Sequence, residues 1–387
     1  MRQAFTAVVA TATTLVLVLA ATESGRGQAS LTALPRVAAA PPDNPTDSRR
    51  VALGQLLFWD PILSGNKDVS CATCHHPQFG YAENLDVSIG VNGVGLGEHR
   101  WFALPNSIPF VKRNSQTILN VAFNGIDQAG RYDPSEAPMF WDVRVLGLEA
   151  QALEPIKSFE EMRGGAYPED KALEHVVARL QANAEYRSFF SAAFGGGPAV
   201  TATNLGKALA AFQRSLVASN SPFDRYMRGD ASALTSSQAR GMQRFERIGC
   251  VNCHSGPMFS DFKPHVLGVP DSRKLPASDS GVKETYAFRT ASLRNLVYTA
   301  PYMHSGVFQT LDDVLDFYDN VTSRRPRGLR NQHVTPDQLD PLLRRLRDVD
   351  RQSDDVIAFL EALSDDSFDK SIPKRLPSGL HPGGAIQ

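Results

Sequence analysis

Beyond about residue 165, apolar residues recur at helical spacing, so the pattern predicts a mainly α-helical chain. A short amphipathic helix is predicted from Arg50 to Trp59, and longer ones from Glu169 to Phe194, Thr203 to Val217 and Thr235 to Ile248. The last opens with a capping box, Thr235 and Gln238, and sets Ala239, Met242 and Phe245 on one side. Further helices are expected from Leu311 to Val321, Pro336 to Arg347 and Asp354 to Leu363. The stretch from Gly80 to Arg113 is rich in Gly, Asn and Pro and reads as loops around a cofactor, since long loops tend to carry function.

Both ends depart from this pattern. Met1-Arg2 precedes a charge-free apolar run from Ala4 to Ala21 and then small polar residues, the order of a secretory signal, assigned here to residues 1–29. A periplasmic mature chain is expected; an uncleaved membrane anchor is the other reading of that run. Residues 30–46 read as a flexible lead-in and residues 371–387 as a disordered tail. Between them a helix followed by a cysteine motif occurs twice. This suggests two units, 47–216 and 217–370.

A hydrophobic share of 42% in 387 residues is enough for two real cores. Net charge is -1 with no block of like charge, which argues against nucleic acid or an anionic membrane as partner. A docking patch for a small redox protein stays open.

All four cysteines fall in Cys71-Ala-Thr-Cys74-His75 and Cys250-Val-Asn-Cys253-His254. That spacing attaches a c-type haem: two thiols add to the vinyl groups and the adjacent histidine binds iron from one face. Two haems c are therefore expected. A zinc knuckle built from the two pairs is the alternative, although zinc does not require a histidine after each second cysteine. Glu160 and Glu161 ahead of Arg163 read, on their own, as a solvated pair, and Trp141 as a buried anchor.

Further motifs lie in order around these: Leu63-Ser-Gly65, Arg113-Asn114 through Asn120, Phe140-Trp141-Asp142, Gln151-Ala152 through Glu161-Met162, Asn220-Ser-Pro-Phe-Asp224, and Ser292 through Pro301-Tyr-Met-His304. With them the chain resembles, over roughly residues 47–365, the bacterial di-haem cytochrome c peroxidase and MauG family. The resemblance implies two cytochrome c-like helical domains and reduction of hydrogen peroxide through high-valent haem iron. The electron donor would be a small cytochrome c or a cupredoxin. The alternatives are a MauG-like enzyme oxidising aromatic residues of a partner protein, and a non-catalytic carrier or sensor. A homodimer is left open.

The family pattern also implies residue roles. Glu161, ten residues after Gln151, would move the peroxide proton, and Gln151 would orient the pocket. Trp141 would lie between the haems and carry charge. Asn114 with the carbonyls of Thr299 and Pro301 would hold a calcium ion. Two departures matter. Where many members place a removable histidine ligand after Ser88-Ile89-Gly90, this chain has Val91, which predicts an open, five-coordinate first haem; His76 and His99 are the nearby substitutes to exclude. Fourteen residues beyond His304, the usual methionine ligand of the second haem is Tyr318, as in MauG-like members. A phenolate favours ferric and higher iron, whereas thioether favours ferrous. Tyr318 as a core tyrosine is the plainer reading. In MauG the charge leaves by a surface tryptophan two residues before the second motif; here that position is Ile248.

Overall fold

The first predicted helix forms as α1, Ser48–Trp59, in the computed structural model, which describes residues 31–387 apart from 196, 324–329, 348 and 350–352. Asp47 caps it, its carboxylate accepting the Arg49 amide at 2.8 Å and satisfying one of the donors a helix start leaves unpaired. Three single turns follow: α2 (Cys71–Cys74), α3 (Leu148–Gln151) and α4 (Glu154–Lys157). The longer helices α5 (Ala172–Ala182), α6 (Ala184–Phe194) and α7 (Ala202–Ser215) complete the first half. The second half holds α8 (Pro222–Met227), α9 (Ser236–Ile248), α10 (Leu311–Thr322) and α11 (Ser353–Glu361). Three antiparallel ribbons brace the loops: β1 (Gly93–Val94) with β2 (Trp101–Phe102), β3 (Pro138–Met139) with β4 (Val145–Leu146), and β5 (Pro264–His265) with β6 (Phe288–Arg289).

The helix ahead of each cysteine motif packs on a later helix with backbone nearly touching backbone. A β-carbon on Gly54 of α1 would collide with the Ala208 carbonyl of α7, and one on Gly241 of α9 with the Asp355 carbonyl of α11. One apolar core gathers around α1 and α7, with members from Leu53 to Ala218 joined by Phe368 and Leu376. A second, around α9 and α11, is built on Phe223, Phe245, Phe259 and Phe359. A third lies on the seam, where Phe123, Met139 and Ala210 meet Met258 and Phe262. Arg113 ties the halves there, pairing with Asp142 at 2.7 Å and with Asp279 of the second half. Inside the second half, Arg294 and Asp224 form a fully buried pair with contacts of 2.9 and 3.0 Å.

The structure corrects the expected ends. The lead-in is packed: Leu34 and Asn44 are fully buried, and the Leu34 amide donates to Asp224 at 2.9 Å. Its alanines and prolines hid the apolar Leu31, Leu34 and Ala38, which join the second and third cores. The tail is docked on the first half. Gly383 donates to the Trp59 carbonyl at 2.8 Å, Ala385 donates to Asp68 at 2.8 Å, and Leu376 is buried in the first core. Backbone bonds hold it, which composition does not reveal.

Two helix boundaries also change. The run from Glu169 to Phe194 is broken at Asn183, whose side chain caps α6 by accepting the Tyr186 amide at 3.0 Å. The helix expected from Pro336 to Arg347 shrinks to a 3₁₀ turn, Pro341–Arg345, with Asp340 as its cap. No helix among the described residues is long and apolar enough to cross a membrane. The apolar run at residues 4–21, read as a signal, lies outside the described residues.

Candidate active site

The two cysteine motifs are delivered differently. Cys71 to Cys74 is itself one helical turn, with the Ser70 amide donating to Thr73 Oγ1 at 2.9 Å. Cys250 instead follows the end of α9, where Gly249 takes the left-handed conformation, φ 103°, that stops a helix cheaply. Both histidines are set alike. His75 Nδ1 is 3.1 Å from the Tyr81 carbonyl and His254 Nδ1 is 2.9 Å from that of Phe259. Burial holds both rings below the usual histidine range, so each is neutral, gives its Nδ1 proton to the carbonyl and leaves Nε2 as a lone-pair donor. This is the tautomer that metal-ligating histidines adopt.

One continuous cavity of about 760 Å³ reaches both motifs. Glu161, Gln151 and Trp141 line it together with His75, His254 and Tyr318, so side chains far apart in sequence share one space. Glu161 lies on a π-helical turn, Phe159–Arg163, the kind of irregular turn often found at functional sites. The segment Gly90-Val91 presses on that turn. The Val91 amide donates to the Glu161 carbonyl at 3.1 Å, and a β-carbon on Gly90 would collide with the Glu160 and Glu161 carbonyls.

Burial raises the Glu161 carboxyl from 4.5 to about 7, against the opposing charge of Arg144. A carboxyl poised there can both take and return a proton at neutral pH. Glu160 and Glu161 are both half-buried on the cavity wall, and Arg163 turns away from them to the carbonyls of Lys157, Gly164 and Tyr167.

Trp141 is clamped from both halves. Its indole Nε1 donates to the Asn114 carbonyl at 3.0 Å, while its own carbonyl accepts the Arg289 amide at 2.8 Å. Its neighbours Phe140 and Val143 have φ of 63° and 50°, a costly region for bulky or β-branched residues, so the surrounding contacts over-determine this segment. Sequence reasoning used His304 only as a landmark. The structure buries it on the same cavity, stacked on Phe288 at 3.5 Å and edge-on to Trp141 at 6.3 Å, with Nε2 unpartnered among the described residues. Arg289, also missed, is buried and donates to the Phe140 carbonyl at 2.9 Å and to Gln116 at 3.0 Å. The Pro-Tyr-Met-His304 motif was the one signal that pointed there.

Val91 is fully buried in the first core and does not line the cavity. His76 packs edge-on against Trp59 at 5.6 Å and His99 pairs with Glu98 at the surface, so neither replaces a ligand at Val91. Tyr318 sits between the second core and a smaller cluster around Phe317, facing the cavity. Burial, with Cys253 and Cys250 beside it, pushes its phenol well above the usual range. Among the described residues nothing bonds its hydroxyl. Asn114, Thr299 and Pro301 border the same cavity, and the Asn114 amide group donates to the Leu85 carbonyl at 2.8 Å.

The donor set fits two haems and not one zinc ion. Among the described residues the four cysteines do not converge; the one cluster of three metal-capable side chains is Cys253, Asp261 and His265. Each pair instead stands beside its own imidazole on a largely apolar wall. The fold and site are those of a helical protein with two haem-attachment motifs facing a shared cavity.

Residues 48–232 match the family described as di-haem cytochrome c peroxidase. The chain is 35% identical to cytochrome-c peroxidase IdrP1 of Pseudomonas sp. strain SCT, over 84% of this chain and 83% of that one. It is 34% identical to methylamine utilization protein MauG of Methylorubrum extorquens, over 86% and 83% respectively. A solved MauG-like protein associated with microbial copper homeostasis superposes with a TM-score of 0.68 at 28% identity, covering 86% of this chain and 95% of that one. The chain belongs to the di-haem cytochrome c peroxidase family.

Proposed function

We propose that this chain is a periplasmic peroxidase that reduces hydrogen peroxide to two waters, taking two electrons from a small cytochrome c or cupredoxin. The observation that carries the reading is that Glu161, Gln151 and Trp141 share one cavity with both cysteine motifs. One haem c is assigned to Cys71, Cys74 and His75, and the other to Cys250, Cys253 and His254. Haem iron, when bound, supplies the two-electron chemistry that divides the peroxide bond.

The chain supplies the rest. His75, oriented by the Tyr81 carbonyl, offers Nε2 from one side. Glu161 takes the proton from one peroxide oxygen and returns it to the other, the departing water. Gln151 orients the substrate by its amide. Trp141, held in both halves, gives charge a path between the centres. Tyr318, on the cavity wall beside the second motif, would offer its phenol oxygen to the haem held by Cys250, Cys253 and His254. Asn114, Thr299 and Pro301 offer oxygen donors for calcium, with waters completing the shell.

The burial of Val91 away from the cavity, together with Tyr318, supports a second reading: oxidation of aromatic residues on a partner protein. Electron paramagnetic resonance of the resting ferric protein tests the open site. One high-spin and one low-spin signal are expected, and two low-spin signals would remove the peroxide site. Steady-state turnover with a reduced cytochrome c then separates peroxidase from protein-modifying enzyme.

A further inference from the structure

The rings behind the two centres differ in chemistry. Behind the second, Phe259, whose carbonyl holds His254, packs on Phe223, Phe245 and Phe359 at centroid distances of 5.0, 6.2 and 6.0 Å. None of these phenyl rings carries a group that gives up an electron easily. Ile248, two residues before Cys250, is buried and equally inert. Behind the first, the carbonyl that holds His75 belongs to Tyr81. Its ring meets Phe368 edge-on at 6.0 Å, and Phe368 meets Tyr298 edge-on at 5.9 Å, spacings of rings in direct contact.

The two phenols are placed for different roles. Tyr81 is fully buried and donates its hydroxyl to the Asp369 carbonyl at 2.8 Å, an acceptor that cannot take its proton. Tyr298 is half-buried beside Val297, which is 45% exposed. Partial burial, with the charges of Asp366 and Asp365 farther off, keeps its phenol protonated at rest. Water can therefore receive a proton from half-buried Tyr298, while the hydroxyl of Tyr81 faces only a carbonyl.

We propose that Tyr298 is the surface end of a path that withdraws oxidising equivalents from the first centre by way of Tyr81 and Phe368. The proposal rests on the peroxidase reading. In each event Tyr298 gives up one electron toward the first centre, its O–H bond breaks, and the proton passes to water. The neutral phenoxyl left on Tyr298 is reduced by a one-electron donor, the same class of reductant the peroxidase reaction consumes, and regains a proton from water. Two such events account for one peroxide. The surface at Val297 and Tyr298 is thus a point where a reducing partner meets the chain.

The test uses the two-haem protein, one equivalent of hydrogen peroxide and no donor, with freeze-quenched electron paramagnetic resonance and haem absorbance read in parallel. A narrow free-radical line is expected. Tyr298→Phe should cut it several-fold, and Tyr81→Phe should slow its appearance, while the absorbance response persists in both. Peptide mass spectrometry should find the oxidation on Tyr298. A full-sized line in Tyr298→Phe would overturn the path, as would absence of a line in the unmodified protein despite an absorbance response. If the absorbance did not respond at all, the peroxidase reading would fall first, and the path with it.

Discussion

Replacing Glu161 by Gln keeps size and hydrogen-bonding ability but removes the group that takes up and returns a proton. Positioned general acid–base groups contribute roughly 10²- to 10⁴-fold, so peroxide reaction at the first centre should slow by that order. The structure also fixes the shape of the pH dependence. Burial lifts the carboxyl from 4.5 to about 7, so the ionised form that accepts the first proton accumulates as pH rises through about 7.

Stopped-flow absorbance from about pH 5 to about pH 9 should therefore show a rate that climbs and levels off, and a slow, flat profile for Glu161→Gln. Stability gives an independent reading. The folded protein keeps this proton up to about pH 7 while the unfolded chain loses it near 4.5, so stability falls as pH rises across that interval. The full shift corresponds to about 3 kcal/mol, less whatever water in the cavity screens. Thermal unfolding of Glu161→Gln should lack that slope. A variant that kept the rate within about twofold, or kept the rising limb, would refute the assignment of Glu161 as the proton carrier.

Arg144→Ala removes the charge that opposes burial at Glu161, so the inflection of the rate profile should move to higher pH in the same stopped-flow series. Gly90→Ala would drive a methyl group into the Glu160 and Glu161 carbonyls; a loss of about 1–3 kcal/mol in thermal unfolding and a distorted peroxide response are expected. Arg294→Met leaves Asp224 charged and fully buried, which should cost about 3–5 kcal/mol in denaturant unfolding. Ending the chain after Lys370 uncovers Trp59 and removes Leu376 from the first core, so limited proteolysis should cut the first half faster.

Much of the site could be read from the chain because its chemistry needs fixed residue types at fixed spacings. Cys71, Cys74, His75 and their second copy stand out by spacing alone, whereas Glu161 and Trp141 are singled out only by the resemblance to the family pattern. What positions them is less visible. The π turn under Glu161 has no pattern of its own, and Gly90 matters only because another segment's carbonyls lie against it. His304 and Arg289 become important through contacts made across the seam, which no local window contains. The ends were misread for a related reason. Low-complexity composition predicts weak local preference, yet Leu34 and Leu376 are held by cores assembled elsewhere in the chain.

The docking of these outer segments makes each half depend on residues that lie beyond the other. Leu31 belongs to the core of the second half, and Phe368 and Leu376 to that of the first. The first core is therefore completed by residues that follow the second half in sequence. The second half likewise draws on a residue that precedes both. Separating the chain near residue 217 would yield two pieces that each lack core residues held by the other. The two halves are thus interlocked by the segments that flank them in sequence.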